Sequence, residues 1–320
     1  MQREILLVVI VVFVIGITLP SSYSETEKPQ NKICVDETIS SGTFNSITVS
    51  DGSACEILNV RVLKNIISND ANGLVIAYSV IDGNLKVTNS DRHVIIVESN
   101  IGKNLKITDS QNLRVEIWGS TIGANLILKN NVDFWSDQGV RNNHIGKNMR
   151  LIDNSISNDF FITENSISKN ALIQGSVHHD QIQIYDNVLG GNFKVLGNLF
   201  DEIAFETNSI SGSLIIKNNM VDSNIYVDKN IIDKNLRILS NQVIAGIWLS
   251  DNQVTKNVNT SDNVMNQFFI QDNTSDSKIR VIGNTVGHFW GCQNNSPDPI
   301  MKKNILEGQP FNKCEIVNLP

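Results

Sequence analysis

The sequence predicts an all-β fold in which one chain coils into a solenoid and successive turns stack in parallel. Three observations predict it: an asparagine recurs every ten or eleven residues, apolar and polar residues alternate between these positions, and no mature segment keeps a helical period. A fixed period indicates a repeat architecture, because a short unit buries its apolar face only against its neighbours. The recurring positions are Asn143, Asn154, Asn165, Ser176, Asn187, Asn198, Asn208, Asn219, Asn230, Asn241, Asn252, Asn263, Asn273, Asn284 and Asn294.

Two of these intervals make one repeat of 20 to 23 residues. The first half has the pattern of Asn235–Ile238 (Asn-Leu-Arg-Ile), and the second half that of Ile247–Asn252. Alternation with a period of two predicts strands with one buried face, so we expect Leu236 to point inward and Arg237 outward. Parallel stacking places equivalent asparagines ~4.8 Å apart, where their amides can hydrogen-bond along the axis. Asparagine also tolerates the left-handed backbone of sharp corners, so we expect it to occupy them.

The coil length, strand phase and asparagine ladders, over roughly Asn59 to Asn294, resemble those of the right-handed parallel β-helix proteins, the superfamily that includes the pectate lyases. The resemblance implies about ten coils of about 22 residues and no particular activity. A left-handed hexapeptide helix is the alternative, but its coils of about 18 residues do not fit the spacing. We expect a signal peptide at 1–24, a leader and N-terminal cap at 25–58, the solenoid at 59–291 and a C-terminal cap at 292–320.

The two ends of the chain suggest export and capping. Ile5–Leu19 is an unbroken, mostly aliphatic run typical of a secretory signal peptide, with an uncleaved membrane anchor as the alternative. Four cysteines in an exported chain suggest disulfides, although sequence alone allows three connectivities. A β-helix would place Cys34 with Cys55 at one end and Cys292 with Cys314 at the other, where tied caps prevent end-to-end association. We therefore expect a monomer that is secreted or held at the cell surface.

The composition argues against several classes of function. A net charge of −7 disfavours a general nucleic-acid binder. No phosphate loop, metal-ligand triplet or nucleophile–histidine–acid arrangement is present, so neither a cofactor nor a metal is expected. The densest titratable cluster, His178-His179-Asp180, is expected in a surface turn between strands.

Two outward stripes of side chains can be drawn from the aligned repeats. Along the first, basic and uncharged residues alternate from Ile127 onward, which fits either a solvated face or a binding surface for an anionic polymer. Lys194, Arg237 and Arg280 are its candidate binding residues. The full stripe is Lys86, Lys106, Ile127, Arg150, Leu172, Lys194, Ile215, Arg237, Asn259 and Arg280.

The second stripe is aromatic on four consecutive coils. Exposed aromatic side chains in a row often mark a binding surface, here for sugar rings or a protein partner. The alternative is that the C-terminal cap covers them. The full stripe is Phe161, Gln183, Ala204, Tyr226, Trp248, Phe269 and Trp290.

Glu206 and Asp228 occupy equivalent outward positions on adjacent coils. By resemblance to β-helix polysaccharide lyases and hydrolases, they form a candidate acid–base pair. The acidic cluster stops at two, and the long insertions that build clefts are missing. We therefore expect a non-catalytic exported protein that presents a rigid surface to carbohydrate, a cell-envelope component or a protein partner. A polysaccharide lyase or glycoside hydrolase using Glu206 and Asp228 is the alternative.

Overall fold

The computed structural model describes residues 28–132 and 138–307 and the backbone of 309–310. Each coil contributes strands to three parallel sheets, and the described residues contain no helix. The predicted all-β parallel solenoid with asparagine ladders is confirmed. It has about 13 turns rather than about ten, because parallel pairing already begins where Asn31 aligns with Ser46.

The three sheets run side by side along the solenoid axis. Sheet 1 consists of Asn31–Cys34, Ser46–Val49, Ile66–Asn69, Leu85–Thr88, Leu105–Thr108, Leu126–Lys129, Met149–Ile152, Ala171–Gln174, Phe193–Leu196, Leu214–Lys217, Leu236–Leu239, Asn257–Ser261, Lys278–Ile282 and Ile300–Lys302. Sheet 2 consists of Thr38–Ile39, Ala54–Leu58, Gly73–Ala77, His93–Val97, Arg114–Trp118, Gln138–Arg141, Ser155–Ile156, Phe160–Thr163, Val177–Tyr185, Leu199–Glu206, Met220–Val221, Asn224–Asp228, Gln242–Ser250, Val264–Gln271, Thr285–Gln293, Ile305–Leu306 and Gln309–Pro310. Sheet 3 consists of Gly42–Phe44, Val60–Val62, Val80–Ile81, Asn100–Ile101, Thr121–Ile122, His144–Ile145, Ser166–Ile167, Val188–Leu189, Ser209–Ile210, Ile231–Ile232, Gln253–Val254 and Thr274–Ser275.

The predicted strand phase is confirmed. Leu236 and Ile238 are fully buried while Arg237 between them is exposed. The inward residues of all three sheets form one continuous apolar core, dominated by Ile, Val and Leu. Because burial of such a side chain contributes roughly 1.5–3 kcal/mol, stacking of the coils is the main source of stability.

Two asparagine ladders line the core, and their members are fully hydrogen-bonded. Asn187 shows the pattern: its backbone N–H and its side-chain Nδ2 both donate to Oδ1 of Asn208, over 3.1 and 2.9 Å. Its Nδ2 also donates to the carbonyl of Ile162 over 2.7 Å. An asparagine amide has the two donors and the two acceptor sites that this pattern needs, which explains the residue type.

The last position of one ladder differs from the sequence assignment. Asn273 donates from Nδ2 to Oδ1 of Asn295 over 3.1 Å, so Asn295, not Asn294, continues the ladder. Asn294 instead has a left-handed backbone, with φ of 50°.

The same division of roles applies along both ladders, so the expectation that ladder asparagines occupy left-handed corners is wrong. The left-handed residue is the one before each ladder asparagine, for example Asp186 before Asn187 (φ 55°) and Lys229 before Asn230 (φ 52°). This exposed residue turns the chain, and the next side chain therefore points into the core.

A third ladder, not expected from the sequence, runs along the corner that leads into sheet 1. It is formed by the asparagine that opens the Asn-Leu-Lys-Val pattern, and it is only partly buried. Asn104 donates from Nδ2 to Oδ1 of Asn84 over 3.0 Å, so its donors point to the preceding coil, opposite to the two buried ladders. Its members include Asn65, Asn84, Asn104, Asn125, Asn148, Asn170 and Asn192.

At the N-terminal end, the predicted disulfide between Cys34 and Cys55 is confirmed, with Cα atoms 6.3 Å apart. Cys292 is not a free thiol, and Cys314, its expected partner, lies outside the described residues. Ile5–Leu19 also lies outside them. Among the residues described, none forms a helix long and apolar enough to cross a bilayer.

Candidate functional site

The outward side of sheet 2, between Gln181 and Gln293, combines aromatic, amide and carboxylate side chains. In-register pairing arranges these side chains in three columns parallel to the axis, and we call this surface the aromatic face. The first column is Gln181, Glu202, Asn224, Gly246, Gln267 and Phe289. The central column is Gln183, Ala204, Tyr226, Trp248, Phe269 and Gly291. The third column is Tyr185, Glu206, Asp228, Ser250, Gln271 and Gln293.

Three aromatic rings of the central column stack on one another. The ring centroids of Tyr226 and Trp248 are 6.4 Å apart at 26°, and those of Trp248 and Phe269 are 4.1 Å apart at 17°. The prediction that these three residues form an outward stripe agrees with their register and partial exposure. Stacking covers most of the ring faces, so the faces open to a ligand are those at the two ends of the stack.

Trp290 does not belong to this stripe, contrary to the prediction. It pairs with Phe268 and is only 4% exposed, so it is a core residue. The cause is a bulge: strand Thr285–Gln293 carries one extra residue between its pairings with Met265 and Gln267. One extra residue moves every following side chain to the other face of a strand.

Within the described part of the chain, both ends of the stack open into pockets, because small residues continue the column there. At one end Gly291 leaves a groove of about 420 Å³ beside the Phe269 ring. At the other end Ala204 leaves a groove of about 230 Å³ beside the Tyr226 ring. The first groove is lined by Trp248, Phe269, Gln271, Phe289, Gly291, Cys292 and Gln293. The second is lined by Gln181, Gln183, Ile184, Tyr185, Glu202, Ala204, Glu206 and Tyr226.

The position of the Trp248 indole depends on a glycine. Its Nε1 donates to Oδ1 of Asn224 over 3.3 Å, which holds the ring across the neighbouring strand. A Cβ atom at Gly246 would lie 3.0 Å from this Nε1 and 3.0 Å from Cβ of Gln267. Glycine therefore permits the close approach of the indole to the sheet.

The groove beside Tyr226 is polar and acidic. Burial raises the pKa of Glu202, although nearby Asn224 and Ser223 donate hydrogen bonds that oppose the rise. Burial, and to a lesser extent the charge of Glu202, raise the pKa of Tyr226. Neither groove is lined by a lysine or arginine among the residues described. The electrostatics therefore favour hydroxyl-bearing ligands over anions.

Glu206 and Asp228 are in register on adjacent strands, as predicted. Asp228 is engaged by two partners: the hydroxyl of Ser250 donates to Oδ1 over 2.5 Å, and Nζ of Lys229 lies 2.7 Å from Oδ2. Strand alternation did not reveal Lys229, because it is the left-handed corner residue that follows Asp228. Both carboxylate oxygens of Asp228 therefore have a partner among the residues described.

The remaining candidate binding residues, Lys194, Arg237 and Arg280, lie on sheet 1 and not on the aromatic face. Their strands pair through the intervening residues Ile215 and Asn259, in the predicted order. The candidate residues thus divide between two separate surfaces of the solenoid.

His178 is a core residue and not part of a surface turn as expected. It lies in strand Val177–Tyr185, and its ring centroid is 6.2 Å from that of Phe160 and 5.1 Å from that of Phe200. Neither ring nitrogen has a hydrogen-bond partner, and burial lowers the pKa of His178 to about 3. In the described part of the chain, no group of three or more His, Cys, Asp or Glu is placed to hold a metal ion.

The chain matches no protein-family model, and comparisons with curated proteins and with solved structures likewise find no match. The aromatic face is therefore interpreted from its own geometry and chemistry.

Proposed function

We propose that this protein is a non-catalytic, exported β-solenoid that binds a neutral glycan along the aromatic face. The observation that carries the proposal is the aromatic stack flanked by amides and carboxylates, with a groove at each end that no lysine or arginine of the described residues lines. Sugar rings need this combination, because each presents C–H groups on its faces and hydroxyls around its rim.

The geometry of the grooves supports such a ligand. The open faces of Tyr226 and Phe269 offer apolar contact with a sugar ring. Gln183 and Gln271 border the two grooves and offer side-chain donors and acceptors to hydroxyls. A few polar groups around an apolar surface are typical of small-ligand sites.

The charges of the aromatic face support a neutral ligand over a polyuronate. Glu202, Glu206 and Asp228 would repel a carboxylated sugar, and the only ion pair there, among the residues described, is that of Asp228 with Lys229.

Export and membership of the right-handed, pectate-lyase-like superfamily are part of the proposal. The coil length, the buried ladders and the Cys34–Cys55 disulfide support them, since disulfides persist mainly in oxidising compartments. The Cys34–Cys55 disulfide is compatible with an extracellular protein.

Calorimetric titration with a panel of neutral oligosaccharides tests the binding. We expect Phe269→Ala and Tyr226→Ala each to weaken binding at least tenfold, because each ring forms the wall of one groove. Trp118→Ala is the matched control, since Trp118 is a 46% exposed aromatic residue of sheet 2 outside the aromatic face. Absence of binding across the panel, or an equal loss in the control, would contradict the proposal.

The same oligosaccharides, incubated with the protein and analysed for products, test the non-catalytic part. We expect no cleavage. Turnover that disappears in Glu206→Gln while binding persists would show that the protein is a glycan-cleaving enzyme.

A further inference from the structure

The outward side of sheet 1 has a composition opposite to that of the aromatic face. Its side chains form two columns, and we call this surface the basic face. The first column is Lys86, Lys106, Ile127, Arg150, Leu172, Lys194, Ile215, Arg237, Asn259, Arg280 and Ile300. The second column is Thr88, Thr108, Lys129, Ile152, Gln174, Leu196, Lys217, Leu239, Ser261, Ile282 and Lys302.

Basic and aliphatic residues alternate between the two columns as well as along the first column. Where the first column has an aliphatic residue the second often has a lysine, as at Ile215 and Lys217, and the reverse holds at Arg237 and Leu239. Only strand Lys278–Ile282 carries two basic residues, Lys278 and Arg280, and like charges in one column are usually separated by an uncharged neighbour. Consecutive strands lie ~4.8 Å apart, so this staggering reduces repulsion between the cations.

The basic face contains no acidic residue, although the whole chain has a net charge of −7. The nine cations of its two columns are Lys86, Lys106, Lys129, Arg150, Lys194, Lys217, Arg237, Arg280 and Lys302, and Lys278 adds a tenth on the same side of strand Lys278–Ile282. Among the described residues, every ion pair lies elsewhere. Hydrogen bonds from Asn130 and Thr108 lower the pKa of the corner residue Asp109, and the charges of Lys106 and Lys129 lower it further. These cations are otherwise available to an external partner.

The aliphatic residues of the basic face are recessed. Ile152, Leu196 and Leu239 are only partly exposed, whereas Arg150, Lys194 and Arg237 are exposed. Long basic side chains can cover such apolar neighbours with their methylene stems. Proteins that bind in the bilayer interface use protruding apolar groups. Because the cations protrude here and the aliphatic residues do not, the basic face is better suited to a polymer than to a membrane.

We propose that the basic face binds a linear polyanion, an extended glycan carrying carboxylate or sulfate groups, aligned parallel to the solenoid axis. The basic face has close to one cation per strand, and the strands repeat every ~4.8 Å. This spacing matches that of the charges on a glycan with one anionic group per extended sugar ring. Duplex DNA presents a denser array, with one charge per ~1.7 Å of axis, and fits this spacing poorly. The inference is independent of neutral-glycan binding, because it concerns a different sheet.

Binding of the full chain to immobilised dextran sulfate and to alginate tests this, with uncharged dextran as the reference. The variant Lys194→Gln/Arg237→Gln/Arg280→Gln should lose at least tenfold in affinity and show a weaker salt dependence, because each cation contributes by counterion release. The control Lys32→Gln/Arg61→Gln/Arg92→Gln makes the same charge change outside the basic face and should retain affinity. The two ion pairs that this control removes are on the surface, where such pairs contribute little stability.

Binding of either probe supports the inference, since one carries sulfate groups and the other carboxylate groups. Phe269→Ala should leave polyanion binding unchanged, which separates this inference from the proposed neutral-glycan site. No binding to either probe, an equal loss in the control variant, or a preference for duplex DNA or anionic phospholipid vesicles would each overturn it.

Discussion

Sheets 1 and 2 share one core and one set of coils, yet they differ in regularity. Sheet 1 pairs without a register shift, whereas sheet 2 contains shifts at His178/Gln181, Val243/Gly246 and Met265/Gln267. Variation in coil length is therefore absorbed mainly in sheet 2. The regular sheet carries a uniform charge pattern, and the irregular sheet carries the two grooves. One of these grooves lies at Gly291, which the bulge in Thr285–Gln293 brings into the central column.

Charge differs between the two sheets as much as regularity does. The basic face has no acidic side chain, and the grooves of the aromatic face have no basic side chain among the residues described. Under the two proposals, this segregation presents two surfaces to two kinds of partner. The following experiments test whether the two sheets are as different in stability as in surface chemistry.

The largest expected effect is a loss of stability at acidic pH. His178 belongs to sheet 2 and stays neutral in the folded state, where its pKa is about 3, against 6.5 for the unfolded chain. Below pH 6.5 the unfolded state binds the extra proton, so stability falls as the pH decreases towards 3 and is unaffected above 6.5. At pH 4 the loss amounts to about 3 kcal/mol.

We expect His178→Phe to remove this loss, because the neighbouring coil already has Phe200 at the paired position. Urea unfolding at pH 7 and pH 4 measures the loss of stability. The control is His179→Gln, which changes the exposed neighbouring histidine. If His178→Phe and the unmodified protein lose stability in parallel, the acid sensitivity has another origin.

The next effect concerns the disulfide that connects the two sheets at the N-terminal end, from Cys34 in sheet 1 to Cys55 in sheet 2. Removing it in Cys34→Ser/Cys55→Ser should destabilise the first coils by about 2–4 kcal/mol. Hydrogen exchange is the appropriate measurement, since solenoids can open locally from an end. Unchanged protection of Ser46–Val49 and Ala54–Leu58 would show that the disulfide is not needed there.

A smaller effect is expected from removing one asparagine of a ladder, and its size should depend on whether that asparagine is buried. Asn219→Ala should lower the free energy of unfolding by about 1–3 kcal/mol, because Asn219 is buried and its loss leaves Asn198 and the carbonyl of Val195 without their partner. Asn170→Ala, at an exposed position of the third ladder, should lower the free energy of unfolding by less than about 1 kcal/mol. Chemical denaturation of both variants gives the comparison, and equal losses would mean that burial does not set the contribution of a ladder.

The smallest effect is expected on the basic face itself. Arg237→Ala should change the free energy of unfolding by less than about 0.5 kcal/mol, because its side chain is exposed and makes no ion pair with any described residue. A thermal melt measures this. A severe loss would indicate that the cations of sheet 1 stabilise the fold and are not free for a partner.

Sequence periodicity predicted the strand phase, the two buried ladders and the outward residues of sheet 1, because these follow directly from a period of two within a repeat. It failed where one residue is inserted: the bulge in Thr285–Gln293, which contains Gly287, moves Trp290 into the core. It also placed His178 in a turn, because a polar His-His-Asp run resembles a turn even where the first ring packs between phenylalanines. The grooves required three-dimensional information, since they arise from Ala204 and Gly291, whose importance is their small size.

The separation of the exposed corner residue from the buried ladder asparagine has a consequence for how such a protein can evolve. Corner geometry is provided by residues as different as Asp186, Thr207 and Lys229, and the interior amide is unaffected by that choice. Duplication of one coil would therefore lengthen every sheet by one row without disturbing the core, and each new row could diversify freely on its outer side. The number of repeats, rather than any single residue, would then determine how long a polymer the protein can accommodate.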